Sequence, residues 1–221
     1  MKTKRNIEIL IVTLLTGFVV IYAIWPSEPR YQGKTLTKWL EYYYIKYGSG
    51  TGRNRPLPPK EHEAVDAIGV KAIPTLLSML KAKDSPTRTN FIRFWRQHGF
   101  PKIDWGMEAN NQHEMAGMGF AILGKEARAA TSGLIKHTVN EDPKIRRTAL
   151  LCLNTIEADP QMLFPVLVER LKDDEDLVSH VAAYMLREKF PKEAERLGIY
   201  ERFPELKRSF KPGIQHFDWL L

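Results

Sequence analysis

An apolar pattern in this 221-residue chain recurs 33 positions later in the same register. The matching pairs are Leu134 and Leu167, Ile135 and Val168, Ile145 and Val178, Ala149 and Ala182, Leu150 and Ala183, and Leu153 and Leu186. Self-similarity at a period of a few tens of residues is typical of stacked-repeat proteins, in which each unit buries its apolar face against the next. Such a fold presents a surface to partners but does not by itself supply a reaction.

The spacing of apolar residues predicts helices throughout the chain after residue 60. Three helices are predicted to begin with a capping residue followed by proline: Ser85-Pro86, Asp142-Pro143 and Asp159-Pro160. No stretch there shows sustained alternation, so we predict no sheet. The predicted helices are a pair within 60–83, followed by 86–98, 106–123, 126–139, 143–156, 160–172, 175–189 and 192–198.

Residues 1–25 are predicted to form a cytoplasmic stub and a transmembrane anchor. The apolar stretch 7–25 has Glu8 as its one charge, and as a helix it would span about 28 Å, close to the bilayer core. Basic residues precede it and Trp25 ends it, which places the N-terminus in the cytoplasm. A cleaved signal peptide is the alternative, although no small-x-small site follows the stretch. The expected location is the inner membrane, with a single pass and a periplasmic domain.

Residues 26–59 are predicted to be a linker that contains an amphipathic helix, 35–47, and a flexible loop, 48–59. Residues 28–60 carry seven Lys or Arg against two Asp or Glu, whereas residues 140–190 carry seven against ten. The basic excess therefore lies next to the predicted anchor. Contact between segment 30–60 and anionic lipid is one interpretation, and an ordinary solvated surface is the other.

The helix 35–47 carries an aromatic stripe with two alternative interpretations. Trp39, Leu40 and Tyr43 share one face, and we expect them to pack on the first repeat and seal its open end. Alternatively, the aromatic rings and neighbouring lysines Lys34 and Lys38 would lie on the membrane surface.

Three stretches after residue 60 resemble HEAT repeats. They are AVDAIGVKAIPTLLSMLK, FAILGKEARAATSGLIKH and the helix pair that begins NEDPKIRRTALL. The segment YQGKTLTKWL is similar to one that precedes HEAT-like repeats in membrane-anchored bacterial proteins of the Verrucomicrobia type. The resemblance implies an all-α fold, a right-handed HEAT-type α-α solenoid, which we assign to residues 60–200. The apolar residues near the C-terminus predict that 201–221 is a capping tail over the last open core.

The solenoid fold, the predicted anchor and the absence of catalytic motifs together lead us to expect a non-enzymatic scaffold that binds a protein or peptide partner at the periplasmic face of the membrane, with no cofactor. In HEAT folds the second helix of each pair lines the inner surface. Candidate partner-binding residues on those helices are Lys81, Lys136, His137, Glu169 and Arg170.

The resemblance also carries an alternative of another class, a metal-dependent enzyme. HEAT-like deoxyhypusine hydroxylases hold two iron ions with four His-Glu dyads, and this chain has two dyads, His62-Glu63 and His113-Glu114. Imidazole and carboxylate ligands suit iron. The other interpretation is that both pairs are solvated residues of first helical turns, where Glu is favoured.

Other chemistry finds little support in the sequence. Cys152 is the single cysteine, which excludes an internal disulfide and a cysteine-based metal site. The pattern at 113–117 lacks the second His of a zinc protease, and no phosphate-binding loop occurs. We also expect no nucleic-acid binding by the run at 93–98, since ordinary amphipathicity accounts for it.

One segment departs from the repeat. Residues 84–114 fit the pattern poorly, and the predicted helix 86–98 lies within them. Its spacing predicts that Phe91, Phe94 and Trp95 face inward while Arg93 and Arg96 face outward. We expect a function specific to this protein to lie in this segment.

Overall fold

The computed structural model describes residues 28–47, 59–98 and 108–207. The predicted anchor 7–25, most of the loop 48–59 and residues 208–221 of the predicted tail 201–221 lie outside these ranges, so the expectations for them remain predictions. Within the described ranges, no helix is long and apolar enough to cross a membrane.

The first described element is a short hairpin, which the sequence pattern did not predict. Its strands are β1, Arg30–Tyr31, and β2, Lys34–Thr35. The two residues between them have positive φ, 47° at Gln32 and 78° at Gly33, as the primed turns of two-residue hairpins require. Helix α1, Leu36–Tyr47, follows directly. The Thr35 hydroxyl accepts a hydrogen bond from the amide of Lys38 at 3.3 Å and so caps α1.

The rest of the described chain is helical, which confirms the all-α prediction. Three 3₁₀ segments, Gly69–Ala72, Gly124–Ala130 and Pro204–Lys207, connect or end the helices. The helices are α2 Pro59–Ile68, α3 Ile73–Met79, α4 Pro86–Gln97, α5 Ala109–Leu123, α6 Thr131–His137, α7 Pro143–Thr155, α8 Pro160–Arg170, α9 Asp176–Lys189, α10 Pro191–Arg196 and α11 Ile199–Arg202.

Two of the predicted proline-associated caps are present as hydrogen bonds. The carboxylate of Asp142 accepts from the amide of Lys144 at 2.9 Å at the start of α7. The carboxylate of Asp159 accepts from the amide of Gln161 at 2.8 Å at the start of α8. The aspartate satisfies a first-turn amide, and the proline that follows has no amide to leave unpaired. The sequence therefore predicted both helix starts correctly.

The helices pack in a relation that repeats along the chain. Helices α2, α5, α7 and α9 form a first layer, in which each packs against the next. Helices α3, α6 and α8 form a second layer, and each packs against the first-layer helix of the following pair: α3 on α5, α6 on α7, and α8 on α9. Each pair therefore buries its apolar faces against its successor.

The turns that follow the three second-layer helices lie along one edge of the molecule. We call residues 81–84, 138–142 and 171–175 the turn edge. The ammonium of Lys83 lies 4.0 Å from the carboxylate of Glu141, which joins its first two turns. Arg146 joins the second and third turns through the hydrogen bonds described below. Because these turns align, the second-layer helices run in the same direction.

The residues that define the 33-residue register occupy the core. Ten of the twelve are buried, and Ile135 and Val168 are partly buried against them. The same positions of successive units therefore fill the interior, as the sequence pattern predicted. Gly69 and Gly124 end α2 and α5 with positive φ, 59° and 49°, which glycine adopts without the steric penalty of a side chain.

The last part of the described chain covers α9. Helix α10 packs on α9, and α11 packs on α10. Phe203 and Leu206 are buried there, and the guanidinium of Arg187 donates to the carbonyl of Leu206 at 3.2 Å. Residues 199–207 thus cover part of the surface that we expected the tail to cap.

Candidate interaction site

The repeat is interrupted between α3 and α5, and helix α4 in this interval lies outside the two layers. We call residues 85–108, of which 85–98 and 108 lie within the described ranges, the excursion. Its two ends are held together, because both carboxylate oxygens of Asp84 accept from the amide of Ala109, at 3.1 and 3.2 Å. A carboxylate at a helix N-terminus satisfies a free amide and interacts favourably with the helix dipole. The interruption of the repeat is therefore shorter than 84–114, since α5 itself belongs to the first layer.

Helix α4, within the excursion, exposes aromatic side chains. Phe91 is 46% exposed and Phe94 is 50% exposed, so the prediction that both face inward is wrong. Trp95 is half-buried, with its ring centroid 5.9 Å from that of Phe91. Helix α4 is not among the closely packed helix pairs of the described residues. Amphipathic spacing identifies an apolar face but not the surface that covers it.

A polar cluster joins α1, α5 and α7 beside the excursion. The hydroxyl of Tyr44 donates to the amide oxygen of Asn111 at 3.2 Å, and Asn110 donates to Glu114 at 2.9 Å. The ammonium of Lys144 donates to Asn110 at 3.3 Å. Burial raises the pKa of Tyr44, and the nearby Glu114 carboxylate raises it further. The Oε2 atom of Glu114 is buried without a hydrogen-bond partner among the described residues.

Two histidines are buried under the turn edge. The Nε2 atom of His113 lies 2.9 Å from the carbonyl oxygen of Ala82 and so ties α5 to the first turn. His137, at the end of α6, is 6% exposed. Burial lowers the pKa of His137, and the charges of Lys81 and His113 lower it further. Both effects favour the neutral form of His137.

We expect the stability of the protein to fall as the pH drops below about 6.5, the ordinary pKa of histidine. The unfolded chain binds a proton at His137 more readily than the folded chain, so the contribution of neutral His137 is complete above that pH and is lost below it. The urea concentration at the unfolding midpoint should decrease when the pH is lowered from 7.5 to 5.5. His137→Gln should reduce this dependence, and Lys81→Met should reduce part of it. An unchanged pH dependence in His137→Gln would contradict this assignment.

The His-Glu dyads of the metal alternative contact other groups. The Nδ1 atom of His62 lies 2.9 Å from the carboxylate of Asp66, and Glu63 accepts from the hydroxyl of Tyr31 at 2.8 Å. The second dyad, His113 and Glu114, takes part in the contacts described above. No three His, Cys, Asp or Glu side chains converge as a metal site within the described ranges.

The predicted partner-binding residues differ in accessibility. Lys81, Lys136 and Glu169 are exposed on the second layer or at its edge. His137 is buried, so its side chain contributes to the interior rather than to a surface. Arg170 donates to Glu169 at 2.8 Å and to Asp173 at 3.1 Å. The accessible part of the predicted surface thus consists of the first three residues.

The main charged contact of the turn edge was not predicted from the sequence. Arg146 donates to both carboxylate oxygens of Asp173, at 3.0 and 2.6 Å, and to Asp174 at 2.6 Å. It also donates to the carbonyls of Asn140 and Glu141, both at 3.0 Å. The 33-residue register gives no signal for Arg146, because the matching position is Ser179. The acidic run 173–176 was the available hint.

The chain matches no protein-family model, and no curated protein or solved structure is significantly similar to it. The resemblance to HEAT repeats therefore depends on the sequence pattern and stays a prediction.

Proposed function

We propose that this chain is a non-enzymatic, membrane-anchored scaffold of the HEAT type. Its second layer would bind a protein or peptide partner at the periplasmic face of the membrane. The repeated packing of α2, α5, α7 and α9 supports an α-α solenoid, since each pair stacks on its successor, and its right-handed sense is what the resemblance to HEAT repeats implies. The length and flanking residues of 7–25 support the single-pass inner-membrane anchor.

The observation that carries the proposal is a row of exposed cations on the second layer. Lys81 follows α3, Lys136 lies in the last turn of α6, and Lys172 follows α8, and all three are exposed. Because these helices run in the same direction, the three ammonium groups lie at the same end of the layer. Val139, which follows α6, adds an exposed apolar side chain at this end, and Met162, in the first turn of α8, adds one at the other end of the layer.

This combination favours a partner segment that is acidic and partly apolar. Aligned positive charges accelerate encounter with an acidic partner and select against a basic one, while apolar contacts contribute affinity. Glu169 is exposed on α8 within the same surface and opposes an acidic partner. It therefore offers a control of opposite sign to the lysines.

The proposal is tested by photo-crosslinking from single positions in the native envelope. A photoreactive residue at Ser132, exposed on α6, should capture a partner, whereas one at Ala121, exposed on α5, should not. The double variant Lys81→Glu/Lys136→Glu should weaken capture about tenfold or more, which corresponds to about 1.4 kcal/mol. Glu169→Lys should retain capture. Equal capture from both positions, or no effect of the lysine changes, would argue against this surface.

The metal-dependent alternative makes a separate prediction. Purified full-length chain would contain stoichiometric iron, and His62→Ala or His113→Ala would remove it. Elemental analysis that finds iron only in the unaltered chain would favour the alternative over the scaffold.

A further inference from the structure

Helix α4 combines basic and aromatic residues without any acidic residue. Its sequence, PTRTNFIRFWRQ, contains Arg88, Arg93 and Arg96. Phe91 and Phe94 are exposed, and so is Arg93. A helix with cationic residues and exposed aromatic side chains suits the boundary between lipid headgroups and acyl chains.

Helix α1 carries a second aromatic and basic patch, and its C-terminal end is linked to the start of α4 through α5. Tyr44 of α1 contacts Asn111, and Ala109, two residues earlier, contacts Asp84, which precedes α4. Beside Tyr44, Ile45 is 69% exposed. Tyr42 is also exposed, and the ammonium groups of Lys34 and Lys38 lie 5.0 and 5.8 Å from its ring centroid. The end of α1 and the start of α4 therefore both lie near the N-terminal end of α5.

The chain itself brings this region close to the bilayer. The apolar stretch ends at residue 25, and β1 begins at Arg30. Five extended residues span at most about 18 Å, so the hairpin and α1 would lie near the membrane surface. This step uses the proposed anchor but not the proposed partner surface.

We propose that α4 docks on the surface of an anionic membrane, with its aromatic side chains inserted at the headgroup boundary and its arginines among the lipid headgroups. The charge of α4 is complementary to anionic lipid. The Asp84–Ala109 contact holds the base of the excursion, so α4 can dock while the two-layer body remains folded. Docking would also orient the second layer relative to the bilayer.

Site-specific fluorescence on the full-length chain in vesicles tests this inference. Asn90→Cys places a label on the aromatic side of α4, and Ser132→Cys places one on α6 as the control. Cys152 does not compete for the label, because burial raises the pKa of its thiol to about 12. The vesicles contain phosphatidylcholine with brominated acyl chains, with or without phosphatidylglycerol.

We expect brominated lipid to quench the label at residue 90 in anionic vesicles, but not the label at residue 132. The triple variant Arg88→Gln/Arg93→Gln/Arg96→Gln should lower the ratio of docked to undocked α4 about a hundredfold, since each basic residue near an anionic surface contributes roughly fivefold. Phe91→Ser/Phe94→Ser should also reduce quenching while the arginines remain.

Three results would overturn the inference. The first is that the label at residue 90 is not quenched although the chains float with the vesicles. Flotation would show that the chain is attached to the membrane, and the missing quenching would exclude docking by α4. The second is equal quenching in neutral vesicles with no effect of the arginine changes. The third is a spectral shift of the label that depends on protein concentration without vesicles, which would assign the aromatic face to a second copy.

Discussion

Replacing Arg146 with methionine should lower the free energy of unfolding by about 3 kcal/mol, because removal of one partner leaves a buried carboxylate without its principal counterion. The side chain of Asp173 is 1% exposed. Burial by itself would raise the pKa of Asp173, but the hydrogen bonds from Arg146 and from the amide of Glu175 lower it overall. Arg170, which contacts Asp173 at 3.1 Å, would remain in the variant. We therefore expect a loss of stability at the lower end of the range that is typical for breaking a buried ion pair.

The effect should extend beyond the ion pair. Arg146 also donates to the carbonyls of Asn140 and Glu141, and it is the link between the second and third turns of the turn edge. Arg146→Lys keeps the charge but cannot reproduce the planar set of donors, so we expect an intermediate loss. Urea denaturation of the full-length chain measures both changes.

The matched control is Asp174→Asn. Asp174 also accepts from Arg146, at 2.6 Å, but its side chain is 91% exposed. Exposed ion pairs contribute about 0–1 kcal/mol, so this change should have little effect. If Asp174→Asn and Arg146→Met destabilised the protein equally, burial of Asp173 would not be the cause.

Gly119→Ala should destabilise the protein, because overpacking a core usually costs about 1–3 kcal/mol. A Cβ atom on Gly119 would lie 2.4 Å from Cδ2 and 3.3 Å from Cγ of the fully buried Leu76. Helix α3 packs against α5 at this point, so Leu76 cannot move without disturbing the contact between the layers. This steric term should exceed the roughly 1 kcal/mol that alanine gains over glycine within a helix.

A glycine on the same helix provides the control. A Cβ atom on Gly117 would lie 3.7 Å from Cγ2 of Thr148, an ordinary contact distance. Gly117→Ala should therefore stabilise the protein by up to about 1 kcal/mol. Thermal unfolding of the two variants should show midpoint shifts of opposite sign. If both midpoints rose, helix propensity, and not the contact with Leu76, would control both positions.

Gly117 and Gly119 are only two residues apart, yet alanine is expected to have opposite effects at the two positions. The sequence could not predict this difference. Both lie in an apolar stretch of α5, and the sequence suggests that both would tolerate alanine equally well. The distance to α3 distinguishes them, and that distance depends on how the layers meet. The same holds for the histidines, because His113 and His137 look like ordinary polar residues until packing buries them under the turn edge.

The excursion shows the limit of the amphipathic pattern. The sequence predicted α4 almost to the residue, 86–98 against Pro86–Gln97, because helix formation depends on local capping and spacing. It did not predict that Phe91 and Phe94 would be exposed. Whether an apolar face is covered depends on residues that are distant in the chain. The local spacing of apolar residues contains no information about those contacts.

The sequence by itself determined the helical class, the helix starts at Asp142 and Asp159, and the positions that fill the core in the 33-residue register. These features follow from local backbone hydrogen bonding and from a period that matches the helix. The tertiary structure alone decided the contact of Arg146 with Asp173, the close approach of Leu76 to Gly119, and the short distance between Asp84 and Ala109. Each joins groups that are distant in sequence, so only the packing of one layer on the next brings them together.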